Sequence, residues 1–174
     1  MRLLYSMLGV VALVSALMFA LFTFLGNRAP AAFSQTYSVE VEAPSSLVWL
    51  VAKDVSQLTA RRENINQVTL VELDEVGAVE WEELSGETAV VRYRRTDSLD
   101  QRLWAFEVAG GNVEIQASYR YEIEDLGDGR SRLTGVEDSG IEAIALRAAF
   151  AFAGGREALL RSWIDEIKQT AEAQ

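Results

Sequence analysis

The 174-residue chain has room for one domain and an appendage. It contains neither histidine nor cysteine, which removes the usual general base, thiol nucleophile and transition-metal ligands, along with disulfides and cysteine-linked lipid anchors. The two arginines ahead of Thr36 have no acidic residue among them, so 14 basic and 26 acidic residues lie downstream, a net charge of −12. Such a surface repels nucleic-acid phosphates and anionic headgroups. No nucleic-acid partner, metal or cofactor is expected.

Leu3 to Leu25 are 23 consecutive uncharged positions rich in Leu, Val, Ala, Met and Phe. A helix of that length, at about 1.5 Å per residue, exceeds the hydrocarbon core of a bilayer, about 30 Å thick. The few polar groups, Tyr5, Ser6, Ser15 and Thr23, bring no charged face with them. A cleaved secretory signal is the rival reading, with Arg2 as its basic start and Ala29-Pro30-Ala31 as a loose cleavage site. The apolar run is too long for a signal core of roughly 7–15 residues, so a retained transmembrane anchor over 1–26 is expected, meeting the lipid bilayer through residues 3–25. Arg2 and the amino terminus precede the span and Arg28 follows it. By the positive-inside tendency this single-pass membrane protein carries its soluble domain on the extracytoplasmic side. Residues 27–35 read as a linker, because Gly26, Asn27 and Pro30 break a helix.

The domain is expected over 36–174. Tyr37 to Glu42 alternates apolar and polar, as a strand with one buried face does. Ala43-Pro44-Ser45-Ser46 stops it and opens a short helix through Leu47, Val48, Leu50 and Val51. Asp54 to Arg62 reads as a second short helical piece. Strands follow at Ile65–Leu73, Val79–Leu84, Thr88–Arg94 and Leu99–Val108. The first of these changes phase between Val68-Leu70 and Val71-Leu73, which predicts a bulge or burial on both faces. After the Gly110-Gly111-Asn112 turn, Val113 to Glu124 alternates without a break, placing Tyr119 and Tyr121 on its apolar face. Gly127-Asp128-Gly129 then turns the chain into Arg130–Asp138.

From Ile141 the period becomes helical. Leu160, Trp163, Ile164, Ile167 and Ala171 form one stripe opposite Arg161, Asp165, Glu166 and Lys168, and only Gly154-Gly155 interrupts, predicting a kink. Ala143–Ala153 is apolar except for Arg147. Deep burial of that half is the preferred reading, against a movable lid or a bilayer contact. The expected fold class is therefore α+β: a curved antiparallel sheet wrapped around a long C-terminal helix, preceded by one N-terminal transmembrane helix.

That order resembles the START-like or Bet v 1-like superfamily (SRPBCC), which includes polyketide cyclase/dehydrase and lipid-transport proteins. Three places carry the likeness. They are the joint Val39-Glu40-Val41-Glu42-Ala43-Pro44-Ser45-Ser46-Leu47-Val48-Trp49 followed by Asp54, the hairpin from Arg102-Leu103-Trp104 to Tyr121-Glu122-Ile123, and Arg132-Leu133-Thr134 before the last helix. The resemblance covers 36–174 and implies the helix-grip fold, with an apolar ligand as the expected class of partner. The chain departs from many relatives after Asp54, where Leu58-Thr59-Ala60-Arg61-Arg62 stands in place of tryptophan anchors.

Strand alternation nominates the cavity-lining residues. Tyr119 and Tyr121 share one face, Arg102, Trp104 and Phe106 another with Val108, and Tyr93 aligns with Val91 and Arg95. These six, Tyr93, Arg102, Trp104, Phe106, Tyr119 and Tyr121, are the candidate ligand contacts, although inward aromatics equally fill a core. An inward Arg102 or Arg95 needs a partner, a ligand carboxylate or an acid such as Glu137. The glycine pairs read as hairpin turns, not as phosphate loops. Three functions fit: a membrane-anchored binding module for a lipid, quinone or other apolar small molecule; a cyclase- or dehydratase-like enzyme on an enolisable apolar substrate; or a filled-core protein-interaction domain. The lack of histidine and cysteine favours binding over catalysis and nominates no catalytic residue.

Overall fold

The computed structural model describes residues 2–152, 155 and 157–174, with side chains from residue 10 onward. A helix α1 (Arg2–Arg28) leads into strand β1 (Ala32–Val41). Helix α2 (Ser45–Lys53), a 3-10 turn (Val55–Gln57) and the short α3 (Leu58–Arg61) follow. Six strands come next: β2 (Ile65–Leu73), β3 (Ala78–Ser85), β4 (Ala89–Leu99), β5 (Leu103–Gly111), β6 (Gln116–Gly127) and β7 (Arg130–Gly140). Helices α4 (Ile144–Phe152) and α5 (Glu157–Glu172) end the chain. The strands form one antiparallel sheet in the order β1-β7-β6-β5-β4-β3-β2, so only β1 leaves its sequence neighbour to close the far edge against β7.

The sheet curves around α5. Its stripe Leu160, Trp163, Ile164, Ile167 and Ala171 is buried, as the helical period predicts. Close approach of this helix requires Gly135 in β7, where a Cβ would lie 2.7 Å from the Ile164 Cδ1 and 3.0 Å from the Leu160 Cδ1. Helices α2 and α3 close one end with Val48, Trp49, Val51, Ala52 and Leu58. The expected irregularity in β2 is present, as shifts in its pairing with β3 between Leu70 and Leu73.

Several boundaries differ from expectation: β4 continues to Leu99, β5 begins only at Leu103 and ends in the paired Gly110-Gly111, and β6 begins at Gln116 instead of Val113. The residues read as a linker over 27–35 are mostly regular structure: α1 continues to Arg28 and β1 already starts at Ala32, where it pairs with Gly140. Gly26 does not break the helix; it is the point of closest approach to a later segment, where a Cβ would run into the Ile144 carbonyl. The early half of β1 escapes alternation counting because Gln35, on its inner face, is polar and donates to the buried Glu137 at 2.6 Å. At the other end the long helix is two helices. Gly155 has φ +89°, a left-handed conformation that ends a helix and that glycine adopts without strain; Gly154 lies outside the described residues.

Helix α4 is not deeply buried, contrary to the preferred reading. Within it only Ala148 is buried, while Ile144 and Phe152 are exposed. It lies instead along the end of α1, where Phe22 and Phe152 stack with centroids 5.7 Å apart and Arg147 Nε donates to the Gly26 carbonyl at 2.9 Å. Helix α1 itself is long and apolar enough over Val10–Arg28 to cross a membrane, and its side chains from Val10 to Phe19 are exposed.

Candidate ligand-binding site

A cavity of about 260 Å³ lies between the sheet and the two C-terminal helices. Its walls come from Val91 and Tyr93 of β4, Val108 of β5, Tyr119 of β6, Leu146 and Phe150 of α4, and Leu159 and Trp163 of α5. Most of this lining is apolar because inner-face strand positions meet the buried sides of α4 and α5. Two carboxylates interrupt it. Glu83 in β3 and Glu137 in β7 are 5% and 3% exposed, and both border the cavity.

Each carboxylate is held by neighbours. Trp81 Nε1 donates to Glu83 at 3.0 Å, since alternation along β3 puts both on the inner face. Glu137 accepts from Gln35 Nε2 at 2.6 Å and from Ser139 Oγ at 2.7 Å. Burial raises the Glu83 pKa above the ordinary carboxylate range, against the opposing pull of Arg62 and the Trp81 donor. Burial also pushes the Tyr93 and Tyr121 phenols up, so both stay neutral. Among the described residues no three carboxylates gather as a metal site.

Arginines do reach the interior: Arg95 lies over the Trp104 ring with its side chain 11% exposed, and Arg62 reaches α5. The Arg62 Nε donates to Glu166 at 2.5 Å, and its guanidinium carbon lies 4.5 Å from the Trp163 ring centroid. Burial opposes its charge, but Tyr121, Glu166 and Glu83 outweigh that and hold the proton more firmly than usual. Arg61 joins the same carboxylate at 3.1 Å and ties α3 to the Val51 and Asp54 carbonyls, each at 2.8 Å.

Five of the six sequence candidates come together in one aromatic layer that floors the cavity. Trp81 stacks on Tyr93 at 5.4 Å, Phe106 on Tyr119 at 5.1 Å, and Tyr119 meets Trp163 at 5.0 Å. Tyr93 and Tyr119 border the cavity; Trp104, Phe106 and Tyr121 are buried in the layer behind it. Arg102 does not join them. It is exposed in the turn between β4 and β5, because the strand read as starting at Leu99 starts at Leu103, and Leu99 itself closes β4. Arg95 pairs with Asp74, not with Glu137. Glu83 was legible from the phase set by Trp81, whereas Arg62 sits just past a four-residue helix and carries no periodic signal. A wider groove of about 680 Å³ crosses the ends of β1, β5, β6 and β7, but it is shallow and open, and polar side chains such as Gln116 and Asp138 line it.

Solved structures share this arrangement. The Zhui aromatase/cyclase from Streptomyces sp. R1128 superposes with a TM-score of 0.68 at 18% identity, covering 81% of this chain and 94% of that one. A START superfamily protein from Mycobacterium smegmatis gives 0.61 at 14% identity, covering 79% and 98%. This is the START-like/Bet v 1-like (SRPBCC) fold. Norcoclaurine synthase from Thalictrum flavum, solved with dopamine and hydroxybenzaldehyde, has the same SRPBCC architecture at 9% identity, with a TM-score of 0.61 over 83% of this chain and 89% of that one. No protein-family model and no curated protein sequence matches the chain. At these identities the SRPBCC likeness is one of fold, and helix α1, the one described segment long and apolar enough to cross a membrane, stands in addition to it.

Proposed function

We propose that the protein is a membrane-tethered binding module for an apolar small molecule. The carrying observation is the cavity walled by Val91, Val108, Leu146, Phe150, Leu159 and Trp163, with Glu83, Glu137, two tyrosines, Asn64, Ser85 and Ser139 as its polar groups. Apolar walls with a small number of placed polar groups are what orients a hydrophobic ligand. At about 260 Å³ the space falls just under the usual range of roughly 300–1,000 Å³, which favours a ring system or one acyl chain over a two-chain phospholipid. Quinone headgroups and single-chain lipids fit that description. Helix α1 would hold the pocket beside the bilayer where such molecules reside, on the extracytoplasmic side by the arginine count.

Native mass spectrometry with lipid extraction tests this on the full-length protein. A co-purifying apolar molecule at fixed stoichiometry is expected. An empty protein that takes nothing from a panel of quinones and fatty acids would remove the reading.

One observation favours a second reading, a cyclase-like enzyme. Glu83 is a buried carboxyl with a raised pKa facing the same space as the Tyr93 phenol, the pairing that proton transfer to or from an enolisable substrate requires. Turnover of a bound polyketone that disappears in Glu83→Gln, while binding persists, would select it over simple carriage.

A further inference from the structure

Helix α4 carries one charge, that of Arg147, and is otherwise apolar on every side. At 3.6 residues per turn, Ile144, Ala148 and Phe152 form one stripe and Leu146 and Phe150 an opposite one. The first stripe meets α1. Ile144 abuts Gly26, Phe152 stacks on Phe22 at 5.7 Å, and Ala148 is buried. The second stripe walls the cavity. Between them Ala145, Ala149 and Ala151 are exposed, and Phe152 is 53% exposed. A helix apolar all round is ordinarily enclosed by protein or by lipid, and among the described residues no protein covers these sides.

The contacts with α1 also set a depth. Phe22 lies six residues, about 9 Å, before Arg28, the first charge after the apolar run. Phe152 stacks at the level of Phe22. Interfacial helices bury their apolar faces about 5–10 Å below the headgroups. The one charge fits this placement, because Arg147 donates from Nε to the Gly26 carbonyl at 2.9 Å and from Nη1 to the Ile141 carbonyl, which holds its head at the end of α1, at the headgroup level.

We propose that α4 is a second membrane contact, dipping into the bilayer interface alongside α1 with its Phe152 end deeper than its Ile144 end, so that the ligand cavity opens toward lipid. The occupant of its uncovered sides is the acyl region of the bilayer, continuous with the lipid around α1. Phe150 marks the path. It walls the cavity and also a crevice of about 290 Å³ formed with Ala29, Pro30, Phe33, Arg147 and the exposed Glu157 at the end of α1. A ligand leaving the bilayer at that crevice passes one side chain to reach the cavity. This inference rests on α1 being a membrane anchor.

The cysteine-free sequence suits site-directed spin labelling of the full-length protein in phosphatidylcholine nanodiscs. Single cysteines at Ala145, Ala149 and Phe152 report on α4, Phe19→Cys on α1, and Asp128→Cys on the β6–β7 turn, distant from α1. The expected result is high oxygen and low nickel-chelate accessibility for α4 and Phe19, and the reverse at Asp128. Chelate-accessible α4 labels beside a lipid-embedded Phe19 label would overturn the proposal while leaving the anchor intact. A water-exposed Phe19 label would overturn both. In a Gly26→Val background, which drives the Ile144 backbone off α1, the α4 labels should move toward water and the Phe19 label should not. Labels at Ala145 and Ala149 are already exposed positions, so the readout does not depend on replacing Phe152.

Discussion

The guanidinium carbon of Arg62 stands 4.5 Å from the Trp163 ring centroid while its Nε donates to Glu166 at 2.5 Å. One side chain thus joins the end of α3 to the central helix at the cavity floor. Both members of the pair are largely withdrawn from water, with side chains 10% and 13% exposed. Removing one partner from such a pair strands the other charge, at a cost of about 3–5 kcal/mol. Arg61 remains beside Glu166 at 3.1 Å, so Arg62→Met should fall at the low end, about 3 kcal/mol in urea unfolding. The triple variant Arg61→Met, Arg62→Met, Glu166→Met should regain most of that loss, because no charge is then left stranded, whereas Arg62→Met, Glu166→Met still strands Arg61. Equal losses in the single and triple variants would show that Arg62 acts through packing on Trp163 alone.

The stability contribution of Glu83 depends on pH with a definite sign. Its folded pKa is raised by burial, so folding favours the protonated form. That contribution is complete below the unfolded carboxylate pKa and is lost as pH rises through the folded value. Asp74 runs the other way: its hydrogen bond with Arg95 lowers it to about 2, so its contribution is present above the ordinary carboxylate range and lost on acidification toward that value. Glu83→Gln keeps an oxygen for the Trp81 donor and removes the charge. Thermal midpoints of the variant should exceed those of the wild type at pH 7 and converge with them below pH 4. Parallel curves across that range would mean that Glu83 ionises without cost.

Gly135 gives α5 its seat on β7. Its Tyr37 and Tyr121 neighbours in β1 and β6 carry full side chains, but at Gly135 a Cβ would already meet Ile164 at 2.7 Å. Overpacking of this kind costs about 1–3 kcal/mol. Gly135→Val should sit at the upper end, and Gly135→Ala lower, because the atoms it meets are the mobile ends of Ile164 and Leu160. Denaturant midpoints of the two variants check the ordering; an unchanged midpoint for Gly135→Val would mean that α5 shifts without cost.

Periodicity made the frame legible. The stripe Leu160, Trp163, Ile164, Ile167, Ala171 and the alternation of Val113 to Glu124 each follow from one amphipathic face, which sequence records directly. What was not legible depends on contacts between distant segments. Gly26 and Gln35 look like linker residues because breaking a helix and interrupting a strand are their local tendencies. Ile144 packs against the first and Glu137 bonds the second, and those partners lie more than 100 positions away. Arg102 was carried inward by reading the strand from Leu99, four residues before β5 begins, whereas Arg62, placed inside by Glu166 and Trp163, stands outside any strand or helix. The Ala143–Ala153 run shows apolar character but not its cause, since burial in protein and contact with lipid select the same residues.

The cavity itself offers a test that separates binding from folding. Val91 is half-buried on β4 and borders the open space, so Val91→Trp directs a large ring into it. Filling an empty cavity restores dispersion contacts that its walls lack, and cavity-filling changes commonly add about 0.5–2 kcal/mol. If the space is kept for a ligand, the variant should be as stable as the wild type or more so, yet take up an apolar fluorescent probe such as a pyrene-labelled fatty acid at least tenfold more weakly, equivalent to about 1.4 kcal/mol. Thermal denaturation and probe titration on the same preparation read the two effects. Unchanged uptake would place the ligand elsewhere, with the shallow groove across β1, β5, β6 and β7 as the next surface to examine. A large loss of stability would mean that the wall at Val91 does not yield, and Leu159→Trp on the opposite wall then repeats the measurement from α5. Higher stability with lost uptake is the outcome expected when the space is kept for a guest, whether carried or turned over, because the cavity is then left unfilled at the expense of stability.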